Sequence, residues 1–179
     1  MRKSFCSLIS FLLFSLLACG AASAHWYVAP TGNDANNGSK RKPLKTIAAA
    51  LQRVNPGDTV FLREGSYGEF VVPTRSGKPG KMITLKSYPG EIAKIDGSDL
   101  YIKGWGNALV QVNNIDYMQF ENLHICHAHD SENNTDPEGI YITGTSGNIT
   151  FRGCKVYDIK NDCPLVDAKV SEDNAHPTR

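Results

Sequence analysis

Two stretches of this chain align with one another at a fixed offset of 31 residues, and that repeat constrains the fold more than any other feature. Met118 falls on Ile149, Phe120 on Phe151, Leu123 on Cys154 and Ile125 on Val156. Asn122 falls on Gly153, and both residue types tolerate a tight corner. Val110 and Val112 precede the first copy as Ile140 and Ile142 precede the second, at an offset of 30. Each copy consists of two or three short strands joined by corners, with apolar and polar residues alternating. Such a unit cannot bury its apolar face alone, but stacked on a similar neighbour it forms a continuous apolar column. The expected architecture is therefore all-β, a parallel β-helix. A β-sandwich also uses short alternating strands, but it does not require copies that align across both strands and corners. The reading predicts that Phe120 and Phe151 stack inside the helix, one coil apart.

The N-terminal part carries the same period of two in less regular form. Strands are expected at Thr59–Leu62, Phe70–Val72, Met82–Leu85 and Ala93–Ile95, separated by turns such as Ser76–Gly80 and Tyr88–Gly90. One short helix is expected over Thr46–Val54. Thr46 is a good N-cap, Ile47, Leu51 and Val54 share one face, and Asn55-Pro56-Gly57 stops it. A helix this short does not stand alone in water. It is expected to close the N-terminal end of the column as a lid.

Residues 1–24 have the order of an export signal: Arg2 and Lys3, an apolar run from Phe5 to Ala18, then Ala22-Ser23-Ala24 as the cleavage site. The run is shorter than the roughly 20 residues that span a bilayer, and no later segment would cross a membrane. A second reading takes Leu16–Gly20 as a lipoprotein box with a lipid anchor at Cys19. The cleavage site lies directly before Trp26-Tyr27-Val28, which favours cleavage after Ala24. Either route places the protein outside the cytoplasm, secreted, periplasmic or at the cell surface. With 19 basic against 18 acidic residues there is no basic stripe of the kind that binds nucleic acid. Cleavage leaves Cys126, Cys154 and Cys163, an odd number without Cys-x-x-Cys spacing. Export permits one disulfide among them without specifying which.

The segments Trp26–Asp34, Asn37–Ser39, Pro43–Ile47, Asn55–Val60 and Arg63–Tyr67, followed by Ser76–Gly80, Ile83–Leu85 and Tyr88–Gly90, resemble the start of pectate-lyase-like right-handed β-helix proteins. In style they are similar to the N-terminal part of family 9 polysaccharide lyases and chondroitinase-B-like proteins. The resemblance covers roughly residues 26–160. It implies a β-helix over 25–162, and it is more specific for the fold than for the reaction, because this fold hosts lyases, hydrolases, epimerases and non-catalytic proteins. Members of the superfamily usually run to more coils, whereas here the alternation fades after Ile159 and residues 163–179 read as a polar, unpatterned tail. A natural short form and a truncated reading frame both fit that pattern.

If the chain is a lyase, the resemblance implies β-elimination on a uronic-acid polysaccharide. A cation, expected to be calcium, neutralises the sugar carboxylate, and a Lys or Arg removes the adjacent proton. The candidates lie around the polar loop after Ala128. Asp130, Asp136, Glu138 and Asp158 are the candidate calcium ligands, and Lys155 and Lys160 the candidate bases. The 31-residue offset sets His127 against Asp158, His124 against Lys155 and His129 against Lys160. His124, Cys126, His127 and His129 also resemble a transition-metal cluster, with His124 and Cys126 expected to point outward. An acidic surface loop is more often a solvated loop than a site. Two other function classes therefore stand beside the lyase: a non-catalytic carbohydrate-binding or surface protein, and a fragment of a longer enzyme. As it stands, the chain is expected to be a weak catalyst or none.

Overall fold

The computed structural model describes residues 23–101, 108–129, 137–160 and 165–168. The export signal, the lipid-anchor residue Cys19, the loop residues Asp130 and Asp136, and Cys163 lie outside the described residues. The architecture is the expected one. Twelve strands form three parallel sheets, and the chain passes from sheet to sheet as it winds.

The first sheet contains β1 (His25–Val28), β2 (Thr59–Leu62), β4 (Ile83–Ser87), β7 (Asp116–Glu121) and β10 (Gly147–Arg152), in that order. The second contains β3 (Gly65–Tyr67), β5 (Ala93–Asp96), β8 (Leu123–Ala128) and β11 (Lys155–Ile159). The third contains β6 (Ala108–Asn113), β9 (Glu138–Gly144) and β12 (Leu165–Ala168). β12 extends the third sheet one strand beyond residue 162, pairing Val166 with Ile142.

The register explains why these residues form strands. Every second side chain points inward, and inward side chains meet their equivalents on the next coil. Val60, Leu85, Phe120 and Phe151 form one such column. Tyr67, Ile95, Ile125 and Val156 form another. Phe120 and Phe151 stack face to face, with centroids 4.5 Å apart and planes 5° from parallel, as the repeat predicts. Burial removes most of these side chains from water completely. The apolar area so removed is the main favourable term holding the coils together.

The corners repeat with the strands. Asn122 (φ 54°) and Gly153 (φ 62°) turn the chain from the first sheet to the second on adjacent coils, joined by a hydrogen bond from Asn122 N to Arg152 O. A Cβ at Gly153 would run into the Asn122 side chain, so that coil needs glycine for space as well as for its positive φ. The same left-handed backbone recurs at Tyr117 and Asn148, and at His127 and Asp158.

Helix α1 (Ile47–Leu51) is shorter than the expected Thr46–Val54. Pro56 disfavours helical backbone at Asn55, and the last helical bond runs from Val54 N to Ala50 O. Thr46 caps it as expected, accepting a bond from Ala49 N. The Glu69 carboxylate accepts from Ile47 N and Ala48 N, so amides without a helical partner are satisfied. Ile47, Ala50, Leu51 and Val54 are buried, and the helix packs on β1 and β2 at the N-terminal end of the column.

Two expectations need correcting. The strand expected at Phe70–Val72 reduces to a single bridge, Val71 to Val110; Pro73 removes a donor and ends the pairing. Gly65–Tyr67, read as the end of a strand, is itself a strand. The buried Tyr67 hydroxyl donates to the carbonyls of Val28 and Arg63, which lets a polar tip sit inside the helix.

Candidate site on the outer face of the second sheet

On the second sheet, the residues between the inward positions form two outward columns. One is basic: Lys94, His124 and Lys155 are register partners on three successive coils, about 4.8 Å apart per step. The other is Asp96, Cys126 and Tyr157. Beside it, the left-handed corners place His127 and Asp158 on neighbouring coils.

His127 sits between two carboxylates. Its Nδ1 is 2.8 Å from Asp96 Oδ1, and its Nε2 is 3.5 Å from Asp158 Oδ2. The other oxygen of Asp158 faces His129 Nε2 at 3.4 Å. Burial pushes the Asp96 carboxyl up, but hydrogen bonds from Ser98 and His127 outweigh it and bring it down to about 2. Asp96 is therefore an anion throughout the ordinary pH range. Burial, reinforced by Lys155 and Lys94, holds the His124 imidazole below its ordinary 6.5. Its Nδ1 lies 3.4 Å from the Tyr157 hydroxyl.

Cys126 points out of the helix, as expected, yet it is fully buried, with Tyr157 hydrogen-bonded to it. Burial pushes its thiol up, against the Tyr157 hydrogen bond. That makes it a poor nucleophile. Cys126 and Cys154 both carry free thiols.

The expected offsets place their partners well. His124 meets Lys155, and His127 meets Asp158. His129, set against Lys160 by the offset, turns instead to Asp158. Of the four residues read as a transition-metal cluster, Cys126 and His127 come together, and the third member is Asp96. One ligand atom from each of these three lies within 4.8 Å of the others. His124 stands with the lysines instead. Asp96 pairs with Cys126 at an offset of 30, so the repeat carried the signal for it. That mixed oxygen, sulfur and nitrogen set suits a transition metal rather than calcium.

Of the expected calcium ligands, Glu138 opens β9 and is buried, and Asp158 is exposed but faces two imidazoles. Among the described residues, these two do not assemble the all-oxygen shell that calcium requires. Of the expected bases, Lys155 is exposed in the basic column, and Lys160 is exposed just beyond β11.

The arrangement can therefore hold an anion along the basic column and keep a carboxylate–imidazole network beside it. The model of the Pel9A-like, right-handed β-helix region matches residues 26–176. The chain belongs to this family. Among its relatives, the uncharacterized protein YwoF of Bacillus subtilis is 31% identical over 150 residues, covering 84% of this chain and 31% of the relative. Pectate lyase PEL9 of Emericella nidulans is 26% identical over 147 residues, covering 76% of this chain and 34% of the relative. The crystal structure of pectate lyase Pel9A superimposes with a TM-score of 0.56 at 26% identity, over 75% of this chain and 34% of that one. The lacto-N-biosidase of Eubacterium ramulus shares the fold, with a TM-score of 0.66 at 20% identity, over 77% of this chain and 28% of that one. The Pel9A-like chain spans about a third of the length of these curated relatives. No helix among its described residues is long and apolar enough to cross a membrane.

Proposed function

We propose that this Pel9A-like chain is an exported protein that binds acidic, uronic-acid polysaccharide and has little or no lyase activity by itself. The observation that carries the reading is the basic column Lys94–His124–Lys155, locked in register on the outer face of the second sheet. A polyanion laid along the stack meets a cationic or titratable group at each coil. The relatives that bear the name pectate lyase supply the substrate class.

Catalysis asks for more than binding. A cation must neutralise the sugar carboxylate, and a base must sit beside the acidic C–H. Calcium is the cation proposed, with the loop carboxylates and Asp158 as its ligands, and Lys155 or Lys160 as the base. Two coils rise only about 10 Å, which is short for a cleft that holds a polymer around a reacting bond.

The test is titration of the full chain with trigalacturonate, with and without calcium, alongside the absorbance of unsaturated uronate product. Binding without product, weakened by Lys94→Gln with Lys155→Gln, is the expected result. Rapid product release that Lys155→Ala or Lys160→Ala abolishes would show that the chain is a lyase in its own right.

A further inference from the structure

We infer that the first sheet carries a second glycan site, in a groove that runs across the coils at the corner leading into β7 and β10. It rests on the reading of the chain as an acidic-glycan binder, but it uses different residues on a different sheet. The groove encloses about 620 Å³ and is lined chiefly by Lys81, Met82, Thr84, Tyr117, Asn148 and Thr150. These residues come from three successive coils.

Tyr117 is the informative member. Its φ is +54°, a left-handed conformation that is a true outlier for a bulky side chain. The fold requires that backbone at this corner, because the next coil repeats it at Asn148, also with φ +54°. Asparagine adopts it readily; tyrosine does not. The fold therefore dictates the corner but not the ring. The ring has no packing role to explain it either. Tyr117 is outside the core, pairs with no other ring, and its hydroxyl has no hydrogen-bond partner among the described residues. Strain retained without a structural return points to function.

The rest of the groove matches a sugar. Lys81 is exposed and has no ion pair among the described residues. Thr84 and Thr150 lie on outward positions in register with Gln119 between them, and Asn148 adds an amide. An exposed aromatic ring suits the apolar face of a pyranose, hydroxyl and amide groups suit its hydroxyls, and one ammonium suits one carboxylate. Two coil steps give about 10 Å of length at the strand spacing, so the occupant is a short stretch of uronate oligosaccharide rather than a single sugar.

The experiment uses the full chain with two probes, trigalacturonate and its fully methyl-esterified, uncharged form, with thermal midpoints measured on every variant. Tyr117→Asn is expected to weaken binding of both probes at least tenfold while the midpoint holds or rises, because the strained ring is gone. Lys81→Gln is expected to weaken trigalacturonate about tenfold and leave the ester unchanged. Parent-like binding by Tyr117→Asn would overturn the site, and so would a lowered midpoint, which would give the ring a structural role. Equal loss of both probes in Lys81→Gln would overturn the charge pairing. If the double change of Lys94 and Lys155 abolishes binding and Tyr117→Asn does nothing, the groove fails while the basic column stands. If the parent binds neither probe, both readings fail together.

Discussion

The coils before residue 100 and those after residue 107 solve the same stacking problem in different ways. In the later part the spacing is regular: Phe120 meets Phe151 and Ile125 meets Val156 at 31 residues, and Val110 meets Ile140 at 30. In the earlier part Thr59 meets Thr84 at 25 residues, while His25 meets Thr59 at 34. The interior column nevertheless runs through both without a break. What stacking demands is an apolar residue at each inward position and a corner that returns the chain to register. Coil length is free, because loops on the outside absorb the difference. The earlier coils use that freedom for structure. The loop from Pro30 to Lys45 hands its Asp34 carboxylate to Lys45 N, Thr46 N and Thr46 Oγ1, fixing the lid. The later coils keep strict length, and their outer columns align charge with charge.

The largest effects should come from the interior, and they should be alike in both parts. Leu51→Asp would bury an unpaired charge under the lid, at a cost of several kcal/mol. Phe120→Ala should cost about 3–5 kcal/mol as a large-to-small change at a filled site. Both are read from denaturant unfolding. Phe151→Ala should cost less, because that ring is only partly buried. A Leu51→Asp variant as stable as the parent would show that the lid does not seal the column. The corner should cost less than the core: Gly153→Ala, against a φ of +62° and the Asn122 side chain, is expected to lose roughly 1 kcal/mol or more.

The smallest effects lie on the outer face and are separated by pH. Asp96 has a depressed carboxyl in the folded chain, about 2 against 3.8. Its contribution to stability is present above 3.8 and is lost as pH falls through that window. Asp96→Asn should flatten the unfolding profile there. His124 is also depressed, from 6.5, so the unfolded chain takes up its proton first. Stability should therefore decline slightly as pH drops below 6.5, and His124→Gln should remove that slope. If polyanion is bound along Lys94 and Lys155, the same histidine gains a reason to protonate, and binding should tighten as the slope reverses. A stability profile indifferent to His124→Gln, with and without trigalacturonate, would detach His124 from the basic column.

What was legible in the sequence follows the same division. The repeat from Val110 to Val156 could be read directly because its spacing is constant, and the Phe120–Phe151 stack is its consequence. The pairings His124–Lys155 and His127–Asp158 were legible for the same reason. Asp96 was missed although it sits one coil from Cys126, because the earlier coils do not align by eye with the later ones. β3 was missed because Gly65 reads as a strand end, and Tyr67 does not announce that its hydroxyl will find two carbonyls. The strand expected at Phe70–Val72 had the right composition but no neighbour in register beyond one bridge. Tyr117 could not be recognised at all, since an unfavourable φ leaves no mark on composition.

The claim underlying all of this is that outward residues on successive coils are locked in one register. Paired residues in adjacent strands lie about 4.8 Å apart, within the 4.4–6.8 Å that a disulfide spans between Cα atoms. Gln119 and Thr150 are direct partners on the outer face, and Thr84 lies one coil further on. A chain carrying Gln119→Cys and Thr150→Cys should form that disulfide under mild oxidation, identified by peptide mass mapping against the native cysteines. A chain carrying Thr84→Cys and Thr150→Cys, two coils apart, should not. A crosslink in the second chain, or none in the first, would contradict the register and the stack built on it.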